Sequence, residues 1–315
     1  MTGEMATESA SALVVTPSHE AIVGRMTVRR ALPQPRLRTV GAWCFADHMG
    51  PLGVTAEQGL NVGPHPHMGL QTVTWLIEGS ALHRDSLGSE QLISAGQLNL
   101  MTAGQGVSHS EEATGSYEGE LEGIQLWIAQ PEATRGGPAA FEHHAELPTI
   151  DLDGGEAIVL IGEQGGLRSP ARHDTALVGL ELSLRSASLL ELRSDFEHAL
   201  VVLRGDVTVD GQLLRPGHLG YLGVGHEELA IDPGDGARVM LIGGAPLEET
   251  IEMWWNFVGR SRDEFVDAYR SWAADDGRFG RVASLMPRVE TEAPRPLGRP
   301  LSSGSGATGD EGAER

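Results

Sequence analysis

Four side chains between Asn61 and Glu112 have the types and spacing to do chemistry: His65, His67, His109 and Glu111. They fall into two pairs, His65-Pro66-His67 and His109-Ser110-Glu111, each of the form X-x-X. On a β-strand both side chains of such a pair leave the same face. If the two strands are neighbours in a barrel, three imidazoles and one carboxylate converge on one interior point. Imidazole suits iron, zinc, copper and nickel, and three neutral donors with one anionic oxygen can hold a divalent ion with positions left open. Open positions separate a catalytic centre from a closed structural one. A His-Pro-His alone reads better as a surface turn; the second pair changes that.

The elements that must position these residues are strands. Thr72 to Ile77 is an apolar run that ends in Glu78-Gly79-Ser80, and Ala95-Gly96-Gln97 leads into another apolar strand. Strand, glycine turn, strand, glycine turn, strand is what a small antiparallel barrel needs. On the segments GPHPHMGLQTVTWLIEG, LHRDSLGS, AGQLNLMTAGQGVSHSEE and IQLWI the chain resembles the cupin superfamily and, within it, the pirin family. The resemblance spans about Ala21 to Gly280. It implies that His65, His67, His109 and Glu111 are the metal ligands and that the metal is iron(II), one per chain. It also implies a quercetin 2,3-dioxygenase-type activity, as in some members. Gln71 stands where many relatives have a glutamate, which puts a supporting role for that position in doubt.

Composition narrows the choice. All 23 basic residues are arginine, so Schiff-base, P-loop and general-base lysines are excluded. A formal charge of −21 argues against direct binding to nucleic acid or an anionic membrane. No run of eighteen apolar residues is present and the acidic N-terminus lacks a cationic leader, so a cytoplasmic protein, a monomer, is expected. The single cysteine, Cys44, reads as a small buried hydrophobe. Neither a G-x-S-x-G elbow nor an H-E-x-x-H helix occurs, so hydrolytic chemistry has little support.

The expected organisation is all-β: two tandem cupin barrels, of the double-stranded β-helix or jelly-roll kind, with a short C-terminal helix. Residues 1–20 are expected to be a disordered tail, 21–145 the metal-bearing barrel and 146–246 a second barrel. Residues 247–288 carry the helix and 289–315 form a disordered acidic tail. The two barrels align on their glycines: Gly79 with Gly205, and Gly96 with Gly217. The offsets of the four ligand positions from these glycines lead in the second half to Glu191, Arg193, Ala230 and Asp232, which make no metal site. Within the first half, Asp47-His48 is either a pair that orients the metal histidines or a capped turn before Gly50-Pro51. Trp127 reads as core rather than substrate platform, and His143-His144, pointing to opposite strand faces, as solvated surface. Ser261 with Glu264 forms a capping box ahead of an amphipathic helix carrying Phe265, Val266, Tyr269 and Trp272.

Two functions of different class follow. One is an iron(II) dioxygenase acting on a flavonol or another aromatic enol, with Glu111 as the base that removes the 3-hydroxyl proton. The other is a metal-dependent, redox-sensing regulator that binds a metabolic enzyme or transcription factor without turnover. Apolar groups at the mouth of the first barrel favour the enzyme; a flat arginine-bearing surface favours the regulator.

Overall fold

The computed structural model describes residues 12–24 and 26–294. Two β-barrels follow one another along the chain, as expected. In the first, a seven-stranded antiparallel sheet has Leu70–Glu78 near its centre, between Leu98–Thr102 and Gly119–Ala129. Trp43–Val54 lies beyond Gly119–Ala129. Facing it is a four-stranded sheet in the order Val62–His67, Val107–Glu112, Ser80–Asp85, Glu90–Ser94. The second barrel is built around Glu197–Arg204, Ala237–Gly244 and Leu177–Leu184.

The large sheet of the first barrel is buried on both faces, which is why Leu70–Glu78 reads as a nearly continuous apolar run. Alternate residues Val73, Trp75 and Ile77 join Leu160, Val201 and Met240 of the second barrel in one shared core. Thr72 and Thr74, one residue out of phase, turn to the interior of their own barrel. Gln71 has the phase of Val73: it is buried, donates to Thr102 Oγ1 at 3.0 Å and faces the Arg172 carbonyl of the second half. It belongs to the joint between barrels and not to the histidine site.

The matched glycines do the same work twice. Gly79 and Gly205 have φ of +90° and +75°, Gly96 and Gly217 +78° and +86°, the left-handed region that side chains avoid. A Cβ on Gly205 would lie 2.1 Å from the Gly236 carbonyl oxygen.

The interior of the second barrel is filled with apolar side chains, among them Val159, Leu180, Leu200 and Leu241. Counting from the glycines arrives one residue out of phase there: Glu191, Ala230 and Asp232 are exposed, and Arg193 pairs with Asp195 outside. The inward positions of the paired strands Ser188–Glu191 and Glu228–Ile231 are Leu190, Leu229 and Ile231. The residues that line this barrel are therefore not the ones reached by counting.

Both ends of the chain depart from expectation. Val14–Pro17 is a strand, and it pairs with His218–Gly223 of the second barrel. The next strand, His19–Val23, joins the first barrel. Residues 12–20 thus include an ordered strap across the two halves, each strand held along one edge by pairing. The rest of that expected tail, residues 1–11, lies outside the described residues, as do 295–315. The C-terminal part returns to the first barrel. Helix Arg262–Ala274 packs Phe265, Ala268 and Trp272 against Met68, Phe257 and Phe279. Ser261 is its N-cap, but the side chain makes no cap hydrogen bond; Glu264 instead receives the Arg260 amide and the Arg135 guanidinium. Beyond the helix, Val289 donates its amide to the Pro64 carbonyl at 2.8 Å, so residues 289–294 start as an ordered strap beside the ligand strand.

An ion group with one buried carboxylate ties the barrels together. Arg204 of the second donates to Glu122 of the first, Nε to Oε2 at 3.0 Å, and to Glu78 at 2.8 Å. The other oxygen of Glu122 lies 3.1 Å from His48 Nε2. His48 therefore serves the joint between barrels, neither orienting the metal histidines nor capping a turn. Arg204→Ala leaves a carboxylate that is 1% exposed without its cation. The expected loss is about 1–3 kcal/mol of stability, read from the urea midpoint, with Arg204→Lys intermediate.

Candidate metal centre

Strands Val62–His67 and Val107–Glu112 are antiparallel neighbours, with His65 opposite His109 and His67 opposite Val107. The donor nitrogens of His65, His67 and His109 lie within 4.8 Å of one another, and all three residues are buried. His67 Nε2 and His109 Nε2 are 3.1 Å apart. His65 Nδ1 lies 2.9 Å from the Gly63 carbonyl oxygen and His67 Nδ1 3.0 Å from that of Asn256. A carbonyl only accepts, so both Nδ1 atoms carry the proton and both Nε2 atoms present lone pairs. Burial lowers the His65 pKa to about 4, and burial with the neighbouring imidazoles holds His67 and His109 well below the usual value. Neutral imidazoles are the form that ligates.

This donor set fits a metal ion. The Nε2 atoms of His67 and His109, 3.1 Å apart, are close enough to share one cation in place of a proton between them. Two imidazole donors at about 2.1 Å from one ion, at right angles, would stand about 3 Å apart.

Glu111 lies outside the three-histidine group but on the same cavity wall. A register shift between His109 and Glu111 sets it opposite Val62. Its Oε1 is 3.5 Å from Thr74 Oγ1. Burial raises its pKa, with His83 and Thr74 acting in the opposite sense.

The histidines open on a cavity of about 1000 Å³. Met26, Val28 and Met49 form an apolar wall, and Phe45 and Trp127 stack at 4.0 Å between ring centres. Trp127 is the core residue expected, buried in one cluster with Phe45, Leu70 and Val258, and it also borders the cavity and meets His67 edge-on at 5.2 Å. Arg30 lies over Phe45 and grips Asp47 through two hydrogen bonds of 2.8 and 2.7 Å. Asp47 therefore holds an arginine at the cavity instead of orienting the histidines. The C-terminal segment closes one side: Trp255 and Asn256, then Met286 to Val289, line the cavity. The lining thus mixes apolar and aromatic side chains with polar ones such as Asn61, Gln125 and Asn256, and its arginines, Arg30 and Arg288, are paired.

Other histidines are accounted for locally. His143 lies 2.7 Å from Asn99 Oδ1 and His144 3.1 Å from Glu142 Oε2; both are half-buried and partnered, not solvated. Cys44 is buried, its thiol pushed up to about 12 by burial. Three contributors escaped sequence reasoning. Asn256 acts through its backbone and is 189 residues from His67, which no local pattern reveals. His83 and Asp85 had a signal, since His-x-Asp is another X-x-X pair. They sit on the strand paired with Val107–Glu112, with His109 opposite Asp85 and Glu111 opposite His83.

Two face-to-face sheets per barrel, two barrels in tandem and a histidine-lined interior in the first define a bicupin with one candidate metal centre. Residues 25–128 match the family described as Pirin, and residues 178–280 the Pirin C-terminal cupin domain. The chain belongs to the pirin family. It is 45% identical over 273 residues to a "Putative quercetin 2,3-dioxygenase" of Pseudomonas aeruginosa, covering 86% of each chain. It is 35% identical to a "Pirin-like protein" of Caulobacter vibrioides, over 80% of this chain and 90% of that one. A crystal structure of quercetin 2,3-dioxygenase from Acinetobacter baumannii superposes with a TM-score of 0.87 at 42% identity, over 91% of this chain and 97% of that one. Among the described residues no helix is long and apolar enough to cross a membrane.

Proposed function

We propose that the chain is an iron(II)-dependent dioxygenase acting on a flavonol or another aromatic enol. One observation carries this: three imidazole Nε2 donors and one carboxylate share the wall of a cavity faced by an aromatic stack. His65, His67 and His109 would hold the ion, with Glu111 as the fourth, anionic donor. Iron(II), when bound, supplies a centre at which dioxygen becomes reactive toward an electron-rich ring. The names of the similar proteins from Pseudomonas aeruginosa and Acinetobacter baumannii support the same substrate class. As such an enzyme it would work as a monomer in the cytoplasm, on a small aromatic substrate and dioxygen.

The residues divide the work as follows. Trp127, backed by Phe45, offers apolar surface to a planar ligand, and Met26, Val28 and Met49 exclude water from its rim. Arg30, held by Asp47 and Phe45, offers a fixed cation to a phenolic oxygen at the cavity edge. Glu111 takes the proton of the flavonol 3-hydroxyl, leaving an electron-rich enolate to which dioxygen adds. Trp127→Ala is expected to weaken flavonol binding by about tenfold or more, read by titration of the anaerobic protein.

Labelled dioxygen tests the reaction class. With ¹⁸O₂ and iron-loaded protein, both heavy atoms are expected in the organic product. One heavy atom in product and one in water would make it a monooxygenase, and none in product would retire oxygenation.

A further inference from the structure

The three histidines are oriented in two different ways. His65 and His67 are fixed by backbone carbonyls, Gly63 O and Asn256 O. His109 has no carbonyl at Nδ1; that atom lies 3.4 Å from His83 Nδ1. The other nitrogen of His83, Nε2, lies 3.2 Å from Asp85 Oδ2. Asp85 in turn accepts at Oδ1 the amides of Leu87 and Ser89, each at 2.9 Å. All three side chains are buried, and His83 stacks on Phe141 at 4.3 Å with 12° between the rings.

Proton positions follow along this row. A carboxylate only accepts, so His83 carries a proton on Nε2, and in the neutral ring that leaves a lone pair at Nδ1. The facing atom, His109 Nδ1, is placed to donate to it at 3.4 Å, and with the proton there His109 Nε2 is bare. A proton on Nε2 would instead be given to His67 Nε2, 3.1 Å away. We propose, resting on the metal reading above, that Asp85 and His83 are a positioning pair that fixes His109 as an Nε2 donor. The fourth ligand position, Glu111, lies opposite His83 in the strand register, so the pair supports that side of the centre from one strand. Through it one ligand of three is backed by a buried carboxylate, which raises its basicity above that of a carbonyl-backed imidazole.

Asp85→Asn reverses the row while keeping the fold. The amide oxygen still takes the Leu87 and Ser89 N–H groups, so the NH₂ faces His83 Nε2. His83 Nε2 must then accept, its proton moves to Nδ1, and His109 is forced to carry hydrogen on Nε2, pointing into the ligand cluster. Long-range ¹H–¹⁵N correlation of the imidazoles in metal-free full-length chain reads this directly. The expected result is His109 protonated on Nδ1 in the wild type and on Nε2 in Asp85→Asn, with unchanged thermal unfolding. Zinc(II) affinity, by competition with a chromophoric chelator, is expected to fall about 10–100-fold. His83→Phe, which keeps the stack on Phe141, is expected to lose affinity to a similar extent, with His109 a mixture of tautomers. An Nε2-protonated His109 in the wild type, or an unaltered tautomer and affinity in Asp85→Asn, would overturn the assignment. If wild-type chain takes up no zinc(II), the metal reading fails, while the spectra still decide the tautomer.

Discussion

Replacing His67 or His109 with alanine is expected to abolish metal retention and leave both barrels folded. Each contributes one of only three clustered nitrogens, and their Nε2 atoms form the 3.1 Å edge of the cluster. With either gone, two imidazoles and the Glu111 carboxylate remain beside a wide cavity, and a divalent ion loses a donor that water replaces without chelation. The fold has independent support. The shared core between barrels contains no member of the cluster, and the second barrel has an apolar interior of its own. Alanine at either position enlarges a cavity already of about 1000 Å³, so it does not open a sealed dry void in a packed core. Metal analysis after anaerobic iron(II) loading and desalting should give close to one iron per wild-type chain and none for either variant. Circular dichroism should be unchanged. Unfolding of the metal-free variants would mean that the ion is structural and that the catalytic reading is wrong.

Glu111→Gln should separate ligation from proton transfer. The amide has the shape of the acid and retains a carbonyl oxygen for Thr74, 3.5 Å away in the wild type, so the cavity wall is preserved. It can still offer an oxygen donor, though a weaker one, and excess iron(II) should restore loading. An amide cannot accept the 3-hydroxyl proton. Turnover is therefore expected to fall by roughly two to four orders of magnitude, the usual worth of a positioned base, while flavonol still binds. If the fully loaded variant turns over at the wild-type rate, Glu111 is not the base.

Much of this architecture could be read from local pattern. X-x-X spacing placed His65 with His67, and His109 with Glu111, on single strand faces, because side chains alternate with a period of two. Glycines 79, 96, 205 and 217 marked turns that need positive φ. What escaped was long-range. Nothing near Val14 indicates that its strand crosses to residues around Tyr221 in the second barrel, since edge pairing is backbone chemistry and leaves little trace in side-chain order. Nor does the sequence around Trp255 show that Asn256 supplies a carbonyl to His67. Trp127 read as core and is core, but its second role as a border of the cavity was illegible, because a cavity wall and a core present the same apolar alternation. The one-residue slip at Glu191 shows the limit of counting from glycines across a loop whose length differs between repeats. His83 and Asp85 were legible in type and spacing, and their meaning appeared only when the strand register set them against His109 and Glu111.

The reading of the first barrel as an oxygen-consuming centre is tested most directly by oxygen uptake. Wild-type chain, loaded anaerobically with iron(II), is mixed with a panel of flavonols, and dioxygen and flavonol are followed together. One dioxygen should disappear for each flavonol lost, over many turnovers per iron, with no uptake by the His67→Ala chain. Fully loaded protein that shows no flavonol-dependent uptake, while oxidation of its iron alters affinity for a protein partner, would contradict the dioxygenase and establish the regulator instead.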